Sequence, residues 1–296
     1  MRITLKQLEV FVAIAQEGTV LKAADRLSLT QSASSMSLAD LERQLGRQLF
    51  DRVGRRLQLN DTGNLLLPKA IDILSRTEDL EKQAANDSSE MGQLRIGSSL
   101  TIGGYLIPSL MGTYLRNHPS SRLSLDMGNT RHVIENLEKF HIDIGFIEGY
   151  CHAPEIDVLP WQEDELVIFV GKDHPLACTR EVTLDDLAHC DWILREPGSG
   201  TRETFDHAVF GKLAQIKMAM ELSQTEAIKH VVESGFGVGC LSRISLHDAI
   251  TQGRLVPLST PYLNLRRKFL ILIHRQKYRG GHLNRFVEFC LGNQIS

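Results

Sequence analysis

No stretch of this sequence stays apolar for the roughly 18 to 20 residues a helix needs to cross a bilayer. The opening residues, MRITLKQLEV, lack the uninterrupted apolar segment of a secretory signal peptide, so the expectation is a cytoplasmic protein with no membrane partner. Cysteine is sparse. Cys151, Cys178, Cys190, Cys240 and Cys290 form an odd set without a C-x-x-C pair, which excludes a disulfide framework and a zinc ribbon and points to reduced thiols. Catalytic signatures are missing as well. EPGSGT (196–201) is no nucleophile elbow, because the positions two before and two after Ser199, where G-x-S-x-G needs glycine, hold Pro197 and Thr201. GFGVGC (235–240) has Cys240 in the last glycine position of G-x-G-x-x-G and precedes a strand pattern instead of opening a helix. The 11 histidines contain no H-E-x-x-H. These absences leave a protein that is no enzyme and needs neither metal nor cofactor.

The 296 residues exceed what one core comfortably organises, so two or three domains are expected. The net charge of -3 hides an asymmetry: residues 1–60 hold 9 Lys/Arg against 6 Asp/Glu, and the remainder holds 24 against 30. A basic front on an acidic body fits a DNA-binding module joined to something else. Thr4-x-x-Gln7 is a capping box, and Leu5, Leu8, Phe11, Val12 and Ala15 follow at helical spacing up to Gly18. Thr19 caps a short second helix with Val20, Ala23, Ala24 and Leu27 on its apolar face. A third helix starts at Thr30 and is expected to bury Ala33, Ser37, Leu38, Leu41 and Leu45 before Gly46.

Two helices joined by a tight turn, with a third in support, make a helix-turn-helix. Its recognition helix enters the major groove by its N-terminal end, where short polar groups approach base edges and phosphates. Thr30, Gln31, Ser32, Ser34 and Ser35 lie there, with Gln31 suited to bidentate contact with adenine. LFDRVGRRLQLND (49–61) reads as a wing turning at Gly54, with Arg52, Arg55 and Arg56 near the DNA backbone.

LKQLEVFVAIAQEGTVLKAADRLSLTQSASSMSLADLERQLGRQLFDR (5–52) resembles the winged helix-turn-helix of LysR-type transcriptional regulators in its A-A-x-x-L, T-Q-S-A-x-S, L-E-x-x-L-G and L-F-x-R elements. Met36 departs from the Arg or Lys frequent there, so an operator preference does not carry over. Asn60 caps a long helix in which Leu66, Ala70, Ile73, Thr77, Leu80 and Ala84 form an a/d stripe, bent by Pro68. With no adjoining sequence to pack against, the stripe is expected to pair with its own copy. The resemblance assigns this helix to dimerisation.

From Gly92 strand and helix patterns alternate, the mark of a doubly wound α/β architecture. The resemblance implies a two-lobed, periplasmic-binding-protein-like effector domain. The expected division is 1–60 for the winged helix-turn-helix, 61–91 for the linker helix and hinge, and 92–296 for the effector domain. Lobe I covers about 92–162 plus 268–296, and lobe II about 163–267.

Ligands of open α/β sheets sit at the carboxyl ends of strands. Candidate contacts there are Ser98, Ser99 and Thr101, then Asn129 and Thr130, Glu148 and Gly149, and Thr225 and Glu226. REPGSGTRE (195–203) adds Arg195, Gly198, Ser199, Gly200, Thr201 and Arg202, a loop running into a helix where N–H groups and hydroxyls converge on an anion. REPGSGTRE with EAIKHVVESGFGVG resembles the LysR branch of carbon-fixation and sulfite or reduced-sulfur regulators. That implies a small anionic effector, a sulfur oxyanion such as sulfite ahead of a phosphorylated metabolite. The expected partners are double-stranded promoter DNA, this effector, and further copies of the chain as homodimer and homotetramer, with RNA polymerase left open. A thiol-based redox regulator using Cys151 or Cys240 is the alternative, ahead of a solute-binding protein or an enzyme.

Overall fold

The computed structural model describes residues 3–53, 56–84, 93–213 and 215–293. The chain begins with α1 (Leu5–Glu17), α2 (Val20–Arg26) and α3 (Gln31–Leu45), followed by the antiparallel hairpin β1 (Phe50–Val53) and β2 (Arg56–Leu59). Local chemistry sets the boundaries. The Gln7 N–H donates to Thr4 Oγ1 and the Thr4 N–H to Gln7 Oε1, and Gly18 ends α1 in the left-handed conformation. Thr19 and Thr30 accept from the N–H groups of Lys22 and Ala33 to cap α2 and α3. Fully buried Ala23 and Ala24 let α2 lie close against its neighbours. Val10, Phe11, Ile14, Leu38, Leu41 and Leu49 fill the core between them.

α4 (Asp61–Ala84) starts where Asn60 Oδ1 accepts the Gly63 N–H at 2.9 Å. Its stripe is divided. Ala70 is buried with Leu67 and Ile71 in the head's own core, because α1 lies alongside the first turns of α4. The expectation that nothing adjoins the stripe fails there. Leu66, half-buried, packs on the same core; beyond Ala70, Ile73 and Leu80 are exposed, Thr77 is half-buried and the Ala84 side chain falls outside the described residues.

The body runs β3 (Gln93–Ser99), α5 (Leu100–Tyr105), α6 (Ile107–Asn117), β4 (Arg122–Gly128), α7 (Thr130–Glu138), β5 (Ile144–Glu148) and β6 (Ile156–Gly171). It continues α8 (Leu184–Ala188), β7 (Asp191–Leu194), α9 (Gly200–Val209), β8 (Lys217–Glu221), α10 (Thr225–Glu233), β9 (Val238–Ser242), α11 (Arg243–Thr251), β10 (Leu255–Pro257), β11 (Arg266–His274) and α12 (Gly281–Gly292). α5 and α6 are separated at Leu106, since Pro108 can open a helix but not continue one.

The strand order is β4-β3-β5-β11-β6-β9-β7-β8, with β10 on β6. Two parallel triplets, β4-β3-β5 and β9-β7-β8, are joined through antiparallel β11 and β6. One core gathers residues from 94–161 and 269–290, and another from 166–265, so the chain folds as two lobes linked by β6 and β11. In each triplet the chain leaves the central strand to one side and returns on the other. These switch points lie at the carboxyl ends of β3 and β7, where open α/β sheets form their crevice.

The head rests on lobe I. Phe140, in the turn between α7 and β5, is 2% exposed and belongs to the head's hydrophobic core, with its ring 4.3 Å from that of His274. Its φ of 56° lies in the left-handed region, which costs a non-glycine residue about 1–2 kcal/mol. Burial of the whole ring offsets that strain.

Candidate functional site

At the N-terminal end of α3, Gln31, Ser32 and Ser35 are exposed, as is Met36. Thr30 Oγ1 caps the helix through the Ala33 N–H at 3.2 Å and lies 3.1 Å from Ser32 Oγ, so its hydroxyl is already engaged. Ser34 is fully buried, and Ala33, expected inside, is exposed. The apolar face of α3 is thus set one residue later than its first turn implied, because packing of Leu38 and Leu41 fixes the helix rotation. Ser34 is therefore removed from the DNA-facing set. Arg52 is exposed on β1, Arg55 lies outside the described residues, and Arg56 is placed on β2 by its backbone alone.

In the body, the two lobes meet at the carboxyl ends of β4, β5 and β7. Thr130 Oγ1 donates to the Glu148 carbonyl at 3.1 Å and accepts the Gly200 N–H at 3.2 Å. The Arg131 N–H donates to the Gly198 carbonyl at 3.1 Å, and Asn129 Nδ2 to Glu196 Oε1 at 3.2 Å. Glycine is required at two of these points. A Cβ on Gly200 would overlap the Glu148 carbonyl, and Gly198 adopts a φ of 91° against Arg131.

Glu148 is buried at the centre. Its carboxylate accepts from Ser99 Oγ, from Thr101 Oγ1 at 3.3 Å and from Thr201 Oγ1 at 3.3 Å, which joins β5, α5 and α9 across the cleft. At the rim, Tyr105 donates to Glu226, which also receives Lys229 Nζ at 2.9 Å. Burial opposes ionisation of Glu226, but these two hydrogen bonds outweigh it and hold the carboxyl below its usual range. Burial, reinforced by Glu226, pushes the Tyr105 phenol far upward.

Among the described residues, Ser98 Oγ, Ser199 Oγ, Thr225 Oγ1 and Arg195 Nη1 are buried without a hydrogen-bond partner. They sit on β3, at the N-cap of α9, at the first residue of α10 and just after β7. An unmet buried polar group costs about 1–3 kcal/mol, so several around one cleft mark a place shaped for a polar ligand. All four can donate, and acceptors are what they lack. Donors gathered at a helix N-terminus suit an anion.

Residues 5–64 match the bacterial regulatory helix-turn-helix protein family of LysR type, and residues 87–294 match the LysR substrate binding domain. The chain belongs to the LysR family. It is 44% identical over 290 residues, 98% of each chain, to the HTH-type transcriptional regulator YeiE of Escherichia coli (strain K12). It is 31% identical to the transcriptional regulator CysL of Bacillus subtilis (strain 168), over 90% of this chain and 89% of that one. RuBisCO operon regulators are among its other relatives, the branch to which its motifs pointed. Among solved structures, the CcmR regulatory domain of Synechocystis PCC6803, in complex with 2-PG, superposes with a TM-score of 0.64. That match has 23% identity and covers 68% of this chain and 96% of that one.

Within this LysR chain two proposed effector contacts are otherwise committed. Arg202 pairs with Asp206 at 2.9 Å and donates to the Arg195 carbonyl at 3.0 Å, so it braces the start of α9 instead of reaching the cleft. Glu226 is held at the rim by Tyr105 and Lys229. Gly149, with a φ of 90°, turns the chain directly beside Gly200. Arg195 is buried and grips its neighbour Glu196 at 2.8 Å, leaving one nitrogen unpaired.

Arg267 lies in none of the motifs that mark the other contacts, yet it reaches the cleft. Its Nη1 donates to Thr201 Oγ1 at 3.0 Å and its Nε to Asp164 at 2.6 Å, while Nη2 has no partner. Alternation along β11 puts Arg267 on a buried face, the one signal that marked it. Nothing favours thiol sensing: burial raises the pKa of Cys151, Cys190 and Cys240, and pushes Cys290 up to about 12, away from reactive thiolate.

Proposed function

We propose that this LysR-type regulator reads promoter DNA with Gln31, Ser32, Ser35 and the wing arginines, dimerises through the exposed half of α4, and responds to a small oxyanion in the interlobe cleft. The observation that carries the effector reading is the set of unmet donors on Ser98, Ser199, Thr225 and Arg195. Three hydroxyls and one guanidinium nitrogen match an anion with several short, strong acceptors and little apolar body. The motif resemblance ranks a sulfur oxyanion such as sulfite ahead of a phosphorylated metabolite, and the complex of CcmR with 2-PG supports small-ligand binding in this fold.

Glu148 supplies the coupling. It holds the lobes together by accepting hydroxyls from both, and an oxyanion entering the cleft competes for those same hydroxyls. A ligand that binds one lobe setting better than another shifts their populations by that difference, and the head docked on lobe I carries the change to the DNA.

Thermal unfolding of the full chain against sulfite, thiosulfate, sulfate, phosphate and small phosphorylated acids, at constant ionic strength, tests this. At about 100 times its dissociation constant the effector should stabilise by roughly 2.7 kcal/mol, a shift of a few degrees. Ser199→Ala should remove the shift. A panel without any shift would end the oxyanion reading.

A further inference from the structure

α7 and β5 form one unit that reaches from the interlobe cleft to the head. Both of its outer ends lie in the cleft, where Thr130 Oγ1 donates to the Glu148 carbonyl at 3.1 Å. Its turn, residues 139–143, lies at the opposite end, and the nine residues of α7 between them span about 13 Å. At the cleft the unit is held by lobe II: Thr130 Oγ1 accepts the Gly200 N–H, and the Arg131 N–H donates to the Gly198 carbonyl. At the turn it is held by the head. Among the described residues, Phe140 is the only one from the body in the head's hydrophobic core. His141 beside it feels the charges of Glu17 and Arg26, at the C-terminal ends of α1 and α2.

The turn departs from the usual chemistry of a helix end. The Phe140 N–H donates to the Leu137 carbonyl at 3.1 Å and the His141 N–H to the Asn136 carbonyl at 2.9 Å, the pair of bonds of a Schellman motif. Glycine is the usual residue at the left-handed position of that motif, because it carries no Cβ penalty. Here the position holds a phenylalanine whose ring is buried in the head. Such strain persists only where surrounding contacts over-determine it, and it gathers at switch regions. Between its two ends α7 packs on the sheet through Val133 and Leu137, which share a core with Ile142, Ile147 and Leu272. These apolar contacts have no preferred direction, so the helix can shift slightly along the sheet without losing them.

We infer that α7 is the element that transmits the effector response, with Phe140 as the positioning residue at its tip. This rests on reading the cleft as the effector site. A ligand that changes how residues 198–200 sit on Thr130 and Arg131 displaces α7, and Phe140 moves with it. The head's core then repacks around the displaced ring, which changes how the head sits on lobe I. The coupling is reciprocal, so loosening the head must also loosen the cleft.

Amide hydrogen exchange of the full chain without any ligand tests this. Phe140→Gly removes the ring and relieves the backbone in one step. Exchange should rise about tenfold or more in α1 and α2. It should also rise in peptides covering 129–133 and 198–203, at the far end of α7, while α11 of lobe II stays unchanged. Phe140→Leu, which keeps an apolar side chain in the head's core, should restore most of the protection at both ends. In the other direction, Thr130→Val should raise exchange in α1 and α2, and should add nothing once Phe140→Gly is present. Changes confined to the head and the 139–143 turn overturn the inference. So does a Thr130→Val effect on the head that is the same with and without the Phe140 ring. No ligand enters the experiment, so its outcome is separate from that of the anion panel: coupled ends in a chain that binds none of those anions would end the oxyanion reading and keep α7 as the link.

Discussion

Gln31, Ser32 and Ser35 face solvent at the start of α3 while Ser34 between them is buried, a consequence of the helix turning about 100° per residue. A base-reading role for Gln31 makes a definite demand. Gln31→Ala should lose about 1–3 kcal/mol of discrimination at one base pair, measured as operator affinity against single-base variants. Equal losses on operator and random DNA would refute that role. Arg52→Ala should instead weaken every sequence alike and reduce the slope of log affinity against log salt by about 1. In the cleft, Glu148 places a carboxylate among hydroxyls that an oxyanion also needs. Glu148→Gln should therefore raise oxyanion affinity by about tenfold, or ~1.4 kcal/mol, in a calorimetric titration. Weaker binding would show that Glu148 itself holds the ligand.

Helix α4 shows how far periodicity can be trusted. An apolar stripe records that a face is covered, but the same 3.5-residue spacing serves an intrachain core and an interchain seam. Leu67, Ala70 and Ile71 turn out to belong to the head, whereas Leu80 is 65% exposed and Ile73 45% exposed. Leu80→Glu should accordingly convert dimer to monomer in sedimentation velocity and leave the melting temperature of the head little changed. A dimer that persists would move the interface elsewhere. Helix ends were legible to the residue at Thr4, Gly18, Thr19, Thr30 and Gly46, since a cap needs only a side chain and a neighbouring N–H. β6 is less legible from the sequence. Its first half alternates buried and exposed residues and lacks the continuous apolar run of its second half.

Across the whole molecule, Asp143 ties together the base of lobe I beneath the head. It accepts from Arg95 Nη2 at 2.8 Å and pairs with Lys277 at 2.9 Å. Burial alone would raise its pKa, but Arg95 and Lys277 prevail and hold the carboxyl below its usual range. A carboxyl depressed on folding contributes stability above its unfolded pKa of about 3.9 and loses it as pH falls through the folded value. Asp143→Asn should cost about 3 kcal/mol in urea unfolding at pH 7, with the gap to the parent closing below about pH 4. A gap independent of pH would overturn the assignment.

By itself the sequence determined the helix-turn-helix, its caps, the α/β alternation and the loops that reach the cleft. Each of these rests on contacts within a few residues or on the repeat of a single element. Only the tertiary structure decided which donors are free. Arg202 is consumed by Asp206, Ser34 turns inward, and Arg267 reaches Thr201 and Asp164 from 66 and 103 residues away. Whether a buried donor has a partner depends on chains brought together from distant parts of the sequence, and no local pattern records that.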